Sequence, residues 1–349
     1  MIGFPENVNT IVMGDVETAL DAAFRIVAIR RIRRPVIEVS GPDRADLLHR
    51  LCTNAVTTAL SGSVVPACFL THKGRFVDYA VMLVRPDSIL LCPSAPSADP
   101  LADWIRRFIF LEDVRISVVE TSYEGITLFG KESPDVARNL FGSLPAPGTY
   151  AEHTGSGWNS FVMTGELPDR IDILTSGDIT LRTTFQGLSG IPDLDDATYT
   201  VYRTVAGIPA YGHEITDAHH PLEVGLASAV SFTKGCYTGQ EVIARMETYR
   251  KMKTRLCGVI FDKSTDLTTP VVLHRPSTPE KRGEVTTMAE RETFGVRTGL
   301  AVAYHRTEGD AEEELTVVTD AGKRGYLYEV PVSMESLESH VQRFLQDAH

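Results

Sequence analysis

The chain is predicted to be an α+β protein, with a set of mixed strand and helix layers followed by a small C-terminal β-barrel. Three observations carry that expectation. Its strands arrive as hairpins interrupted by helices, an order that suits α+β layers rather than a doubly wound parallel sheet. Its last third reads as short strands separated by turn residues, the pattern of a small barrel. Its 349 residues exceed one small core and call for two or three packed domains.

In order, Asp15 to Arg25 has apolar residues at helical spacing (Val16, Ala19, Leu20, Ala23, Phe24) and is expected to lead as a helix. Pro35 closes the basic run Arg30 to Arg34, and Val36 to Val39 reads as a strand. Ser40-Gly41-Pro42-Asp43 opens a helix carrying Leu47, Leu48 and Leu51. Strands are expected at Val64 to Leu70, Arg75 to Val84 and Ser88 to Cys92, with turns at His72-Lys73-Gly74 and Pro86-Asp87. An amphipathic stretch from Ala98 to Phe110 precedes a strand at Val114 to Val119. A second set follows: a strand at Ile126 to Phe129, a helix at Pro134 to Phe141, a Pro/Gly loop, strands near Phe161 and Ile171, and helices near Ile179 to Phe185 and Tyr199 to Ala206. The barrel strands are Leu256 to Phe261, Val271 to His274, Gly283 to Met288 and Thr298 to His305, and Met334 to Leu345 closes the chain as an amphipathic helix.

Composition narrows the function. With 43% apolar and 23% charged residues the chain has a soluble globular composition, and no apolar run is long enough to span a bilayer. Met1 to Met13 lacks the basic start of a signal peptide. The five cysteines, Cys52, Cys68, Cys92, Cys236 and Cys257, are widely spaced without a C-x-x-C, which fits a reducing cytoplasm. A net charge of −12 argues against general nucleic-acid binding. Locally the balance reverses: Lys234, Arg245, Arg250, Lys251, Lys253 and Arg255 face only Glu241 and Glu247, which suits either a small anionic ligand or a solvated helix face. No G-x-G-x-x-G or P-loop supports a nucleotide cofactor.

The most informative stretch is Lys234-Gly235-Cys236-Tyr237-Thr238-Gly239-Gln240-Glu241, running into Val242-Ile243-Ala244-Arg245. Thr238 and Glu241 have capping-box spacing ahead of an apolar Val242, Ile243, Met246 set. Cys236 therefore precedes a helix start and lies two residues from Lys234, both of which favour a thiolate. Gly235 and Gly239 clear side chains from around it. The motif resembles the signature of the YgfZ-type folate-binding proteins, a branch of the glycine-cleavage T-protein (aminomethyltransferase) superfamily tied to iron–sulfur enzyme maturation. The resemblance extends more loosely over residues 35 to 305.

The resemblance implies a three-part fold: an aminomethyltransferase-like folate-binding region of two α/β subdomains over 1–250, a barrel over 251–331 and a closing helix over 332–349. Tetrahydrofolate, or a one-carbon derivative, would sit in a central hole. Asp78 is the leading carboxylate. In the alternating strand it shares a face with Phe76, Ala80 and Met82, and if that face is buried the carboxylate needs a partner or a raised pKa. Gly74-Arg75-Phe76-Val77-Asp78 is similar to a G-x-x-x-D segment whose Asp contacts folate in the aminomethyltransferases, although Tyr79 replaces that family's second acidic residue.

Thr164-Gly165-Glu166 is similar to a T-G-E whose Glu contacts the pterin, with Leu167-Pro168 departing from the pattern. Arg203, in an R-x-x-A-G helix end, would pair with a ligand carboxylate or with a neighbour such as Asp195. Lys234, Tyr237 and Gln240 complete the implied folate-binding set, and Cys236 with Asp78 the implied catalytic pair. His213 to His220 is not an H-E-x-x-H, and Pro221 makes it a polar loop rather than a metal-binding helix. Three functions follow: folate binding in the maturation or repair of iron–sulfur enzymes, with assembly proteins or client enzymes as partners; a true aminomethyltransferase; or a folate-regulated scaffold.

Overall fold

The computed structural model describes residues 16–155, 158–164, 169–177, 188–248, 254–276, 278–304 and 315–346. Helix α1 (Val16–Arg25) leads into strand β1 (Ala28–Ser40), helix α2 (Arg44–Leu51), and strands β2 (Val64–Leu70), β3 (Phe76–Val84) and β4 (Ser88–Pro93). Helix α3 (Asp99–Arg106), strand β5 (Arg115–Phe129), helix α4 (Ser133–Phe141) and strands β6 (Thr149–Gly155), β7 (Trp158–Thr164) and β8 (Arg170–Gly177) come next. Helices α5 (Asp196–Ala206) and α6 (Gln240–Thr248) precede strands β9 (Thr254–Asp262), β10 (Val271–His274), β11 (Lys281–Thr293), β12 (Val296–Tyr304), β13 (Thr316–Thr319) and β14 (Arg324–Glu329). Helix α7 (Met334–Gln346) ends the described chain. The helix expected near Ile179 to Phe185 lies outside the described residues.

The two expected layers share one sheet of eight strands, in the order β2-β3-β4-β1-β5-β8-β7-β6. Its axis is the antiparallel pair β1 and β5, in register from Ala28↔Phe129 to Ser40↔Arg115. Two corrections to the sequence reading follow. The strands expected at Val114 to Val119 and Ile126 to Phe129 are halves of β5, and the basic run before Pro35 belongs to β1. Pro35 has no N–H for the ladder, and the register shifts between Arg34 and Val36 instead of the strand ending there. Arg30 lies 3.6 Å over the Tyr199 ring and bonds Asp196, while Arg31 bonds Asp193, so this stretch is held by side chains as well.

The sheet's far edges come together. Val64 N donates to Gly148 O at 2.8 Å and Tyr150 N to Gly62 O at 2.9 Å, joining β2 to β6, a strand the sequence reading placed in a loop. Between the two halves lies an apolar cluster of Val36, Leu83, Leu90, Phe161, Met163 and Leu174. On the outside of the first half, α2 and α3 bury Leu47, Leu48, Leu51, Leu101 and Ile105 against Phe69, Ala80 and Met82.

The C-terminal strands form a closed barrel, β10-β11-β12-β9-β14-β13. Alternation divides β9 cleanly: Val259 and Phe261 fill the barrel, while Ile260 turns outward. The outer face, with Tyr326 and Tyr328, is covered by Val205 of α5 and by the Leu337, Val341, Phe344 stripe of α7. Strands β13 and β14 extend the barrel beyond the four expected. A third cluster, with Cys68, Leu70, Phe76, Leu222, Val224, Ile243, Leu256 and Leu300, ties the sheet, α6 and the barrel together.

Candidate functional site

The signature segment is fixed to the first half of the sheet from both sides. On one side, Lys234 turns inward: its Nζ donates to His49 O, to Cys52 O at 2.8 Å and to Asn54 O at 2.8 Å. These carbonyls lie at the C-terminal end of α2, where a helix leaves its last C=O groups unsatisfied and its dipole is negative, so an ammonium suits them on both counts. Burial pulls the Lys234 pKa down. On the other side, Gly239 has φ 86°, and a Cβ placed there would come 2.7 Å from Thr71 O and 3.2 Å from Gly74 Cα. The motif's second glycine is thus required both by its left-handed backbone and by direct contact with the β2–β3 turn.

Further bonds close the platform. Thr238 N donates to Arg50 O and Ser231 N to Thr53 O, while the Thr53 hydroxyl donates to Ala229 O and accepts from Cys68 N. His220 Nδ1 lies 2.7 Å from Gly74 O, and Arg75 donates to Ala218 O, so the loop after His213 clasps the same turn. Helix α6 begins at Gln240, and Glu241 pairs forward with Arg245 at 2.6 Å.

Cys236 sits between these anchors and is exposed, the one exposed thiol of the five; Phe232, 48% exposed, leaves it open. Gly235 beside it has open space around it. Lys234, two residues away, is directed at the carbonyls of α2. Tyr237 is buried under the Lys234 ammonium, which lies 5.1 Å from the ring centroid, and burial pushes its hydroxyl up to about 12. Gln240 Nε2 donates to Gly235 O at 3.4 Å. Burial also raises the thiols of Cys52, Cys68, Cys92 (to about 12) and Cys257 (to about 11).

Asp78 stands four residues beyond the turn that Gly239 touches, about 13 Å along an extended strand. It is 2% exposed, on the face of β3 shared with Phe76, Ala80 and Met82, as the alternation requires. Burial lifts its carboxyl to about 6, against the pull of Ser94 Oγ, which donates to Oδ1 at 2.6 Å, and of backbone amides including Tyr79 N at 2.7 Å. Hydroxyl and amide donors hold this carboxylate, and no cation among the described residues bonds it. Ser94 was not anticipated. It follows β4, the neighbour of β3, and only the β3–β4 pairing brings it alongside.

Glu166 lies outside the described residues. Arg203 belongs to a separate cluster. It is 4% exposed, and its guanidinium pairs with Glu214 at 2.9 Å and donates to Thr287 Oγ1 at 2.6 Å. Asp195, its expected neighbour, instead caps α5 through Thr198 N and pairs with Arg291. The His213 to His220 loop is similarly committed: Glu214 to Arg203, His220 to Gly74 O, and His219 to Glu284 at 3.4 Å. Among the described residues no group of three or more His, Cys, Asp or Glu side chains is placed to hold a metal, and no helix is long and apolar enough to cross a membrane. The basic strip is largely engaged: Lys234 at α2, Arg245 with Glu241 and Arg255 with Glu329, while 249–253 lie outside the described residues.

Sheet, barrel and connecting cluster define an aminomethyltransferase fold. The aminomethyltransferase T of the Bartonella henselae glycine cleavage system superposes with a TM-score of 0.71 over 90% of this chain and 89% of that one, at 17% identity. The GCVT N-terminal domain family model matches residues 34–149. "Putative transferase At1g60990, chloroplastic" of Arabidopsis thaliana is 30% identical over 231 residues, 64% of this chain, and the match spans about half (53%) of that protein. The tRNA-modifying protein YgfZ of Colwellia psychrerythraea is 26% identical over 223 residues, 63% of this chain and 67% of its own. These likenesses support a YgfZ-type member of the T-protein (aminomethyltransferase) superfamily.

Proposed function

We propose that the protein binds tetrahydrofolate, or a one-carbon derivative, and serves the maturation or repair of iron–sulfur enzymes in a reducing compartment such as the cytoplasm. The observation that carries this reading is the presentation of Cys236, the one exposed cysteine, between two anchors that fix its loop to α2 and the β2–β3 turn. A thiol held out on a rigid rim suits contact with a second protein, whereas a nucleophile working on a bound small molecule is ordinarily enclosed. Similarity to the YgfZ type supports the iron–sulfur direction, and similarity to the aminomethyltransferases supports the folate.

When bound, tetrahydrofolate would supply a carrier for one-carbon units. The acceptor chemistry of Asp78 fits it: a buried carboxylate without a bonded cation suits the amino and ring N–H edge of a pterin, and Glu166 would add a second acceptor. Tyr237 and Gln240 line the motif beside it. Lys234 and Arg203 would act by holding these elements in place, since their donors are already taken. The net charge of −12 directs the chain towards protein and small-molecule partners rather than the nucleic acid that the Colwellia protein's name implies for that relative.

A second reading, aminomethyl transfer, is favoured by Asp78 itself, because a carboxyl near 6 is matched to proton transfer near neutral pH. Ammonia release from an aminomethylated lipoyl carrier at about 1 per second or faster would establish it. For the first reading, calorimetry should show tetrahydrofolate binding that Asp78→Asn weakens by about ten-fold or more, the loss of one charge-assisted hydrogen bond. Cys236→Ser should bind folate as the native chain does, yet fail to restore iron–sulfur enzyme activity in cells lacking the protein. Full restoration by Cys236→Ser would remove the thiol from the function.

A further inference from the structure

Arg34 stands on β1 at the edge of the apolar cluster between the two halves of the sheet, two residues before Val36 and opposite Tyr123 of β5. Its side chain lies across the neighbouring strand. A Cβ at Gly125 would come 2.7 Å from Arg34 Cγ and 3.1 Å from its Nε, so a strand glycine clears the path of the guanidinium. No left-handed backbone calls for glycine at 125; the crossing side chain does.

The charged groups around Arg34 are engaged with one another. Arg170 gives Asp172 two hydrogen bonds, of 2.9 and 3.1 Å, and Thr127 Oγ1 donates a third at 2.7 Å. Arg30 pairs with Asp196 at 3.0 Å. Arg34 itself makes no hydrogen bond or ion pair among the described residues. Burial raises the Cys92 thiol and the Arg34 charge opposes it, which sets Cys92 of β4 beside the same guanidinium. Arg34, Cys92, Tyr123, Arg170 and Asp172 are each only partly buried, so they border space open to a ligand. A guanidinium drawn partly out of water without a partner is an unfilled donor, and a carboxylate matches its fork.

In tetrahydrofolate both carboxylates belong to the glutamyl tail. Arg203, which the sequence offered to a ligand carboxylate, is committed to Glu214 and Thr287, and Lys234, Arg245 and Arg255 of the basic strip are engaged as well. Arg34 is not. Ser94, which holds Asp78, follows Cys92 by two residues, about 7 Å of extended chain, so the acceptor suited to a pterin and the unpaired guanidinium border one region. We propose that Arg34 binds a glutamyl carboxylate of the folate and thereby selects for the acidic tail. The assignment rests on the folate reading above and gives that site its cation.

The test is calorimetric titration of the full chain with tetrahydrofolate and with its diamide, in which both glutamyl carboxylates are carboxamides. The native chain should prefer the acid by about ten-fold or more. Arg34→Gln should weaken tetrahydrofolate by about ten-fold and leave the diamide within about two-fold, abolishing the preference. Gly125→Ala, which keeps the charge but obstructs the Arg34 stem, should also reduce the preference, by about three-fold or more. Asp78→Asn, at the pterin end, should weaken both ligands alike. Circular dichroism of each variant keeps a folding failure apart from a binding loss. Equal affinity of the native chain for acid and diamide, or an Arg34→Gln protein that keeps the native preference, overturns the role of Arg34 while the folate reading stands. No saturation by either ligand up to about 1 mM overturns both.

Discussion

At the scale of single residues, Asp78 makes a pH-dependent contribution whose sign is opposite to that of most native carboxylates. Its folded-state pKa is raised from 3.8 to about 6, chiefly by burial, so the folded chain holds the proton more tightly than the unfolded chain does. Its stability is therefore fullest below about pH 4 and is lost as pH rises through 6, with about 3 kcal/mol at stake. Asp78→Asn is neutral throughout and still offers an oxygen to Ser94 and Tyr79 N. The stability of the native chain relative to this variant should fall by about that amount between pH 4 and pH 7 in parallel urea titrations; superimposable pH profiles would show that the carboxyl is not desolvated. Cys236 allows a second residue-scale test. Iodoacetamide should label it in the native state while the buried Cys52, Cys68 and Cys257 react only on unfolding, and protection of Cys236 equal to theirs would contradict its exposure. The burial of Asp78 was legible in the sequence because a strand's period of two puts it beside Ala80 and Met82. Its partner was not, since Ser94 arrives from the neighbouring strand. The sequence reading likewise placed Lys234 beside Cys236 by proximity, whereas the free carbonyls at the end of α2, 180 residues earlier, are the stronger attraction for an ammonium.

At the scale of elements, the two glycines of the motif have different work. Gly239 combines φ 86° with backbone 2.7 Å from where a Cβ would sit; Gly235 has nothing within 4 Å. Gly239→Ala should therefore cost about 1–3 kcal/mol and loosen the β2–β3 turn, while Gly235→Ala stays within about 0.5 kcal/mol. Equal costs in chemical denaturation would mean that the motif is not seated on the turn. The sequence reading placed the helix start to within two residues but gave Glu241 a backward role, and in the structure Arg245, one turn ahead, takes the carboxylate. Strand β5 was missed as a single element because Glu120 to Gly125 carries no apolar alternation. Pairing with β1 decides its conformation, and Arg33 stands opposite Glu124 in that register. Strand β6 was missed for a related reason, since Tyr150-Ala151-Glu152-His153-Thr154 has little to bury and is ordered by β7 and by its contact with the β2 edge.

At the scale of the whole molecule, the barrel was legible as short strands with turns between them, but the joint that fixes it to the rest was not. That joint is a buried ion pair. Arg203 on α5 reaches Glu214, which is wholly buried, and Glu214 accepts in turn from Thr286 Oγ1 at 2.6 Å and Thr287 Oγ1 at 2.7 Å on β11. Ala210 N also donates to it at 3.0 Å. Helix, loop and barrel thus converge on one carboxylate whose hydrogen-bonding capacity is filled. Two desolvated charges add little net stability when paired, but removing one strands the other, at a cost of about 3–5 kcal/mol. Glu214→Ala should carry a cost of that order, read from urea unfolding with an unchanged m-value. It should also raise hydrogen exchange at the β11 amides near Thr286 and Thr287 while leaving β2 to β4 as protected as before, because the first half of the sheet does not touch the pair. A loss below about 1 kcal/mol, or exchange that rises equally in both regions, would show that the apolar cluster around Leu222, Ile243 and Leu300, and not this carboxylate, holds the barrel in place.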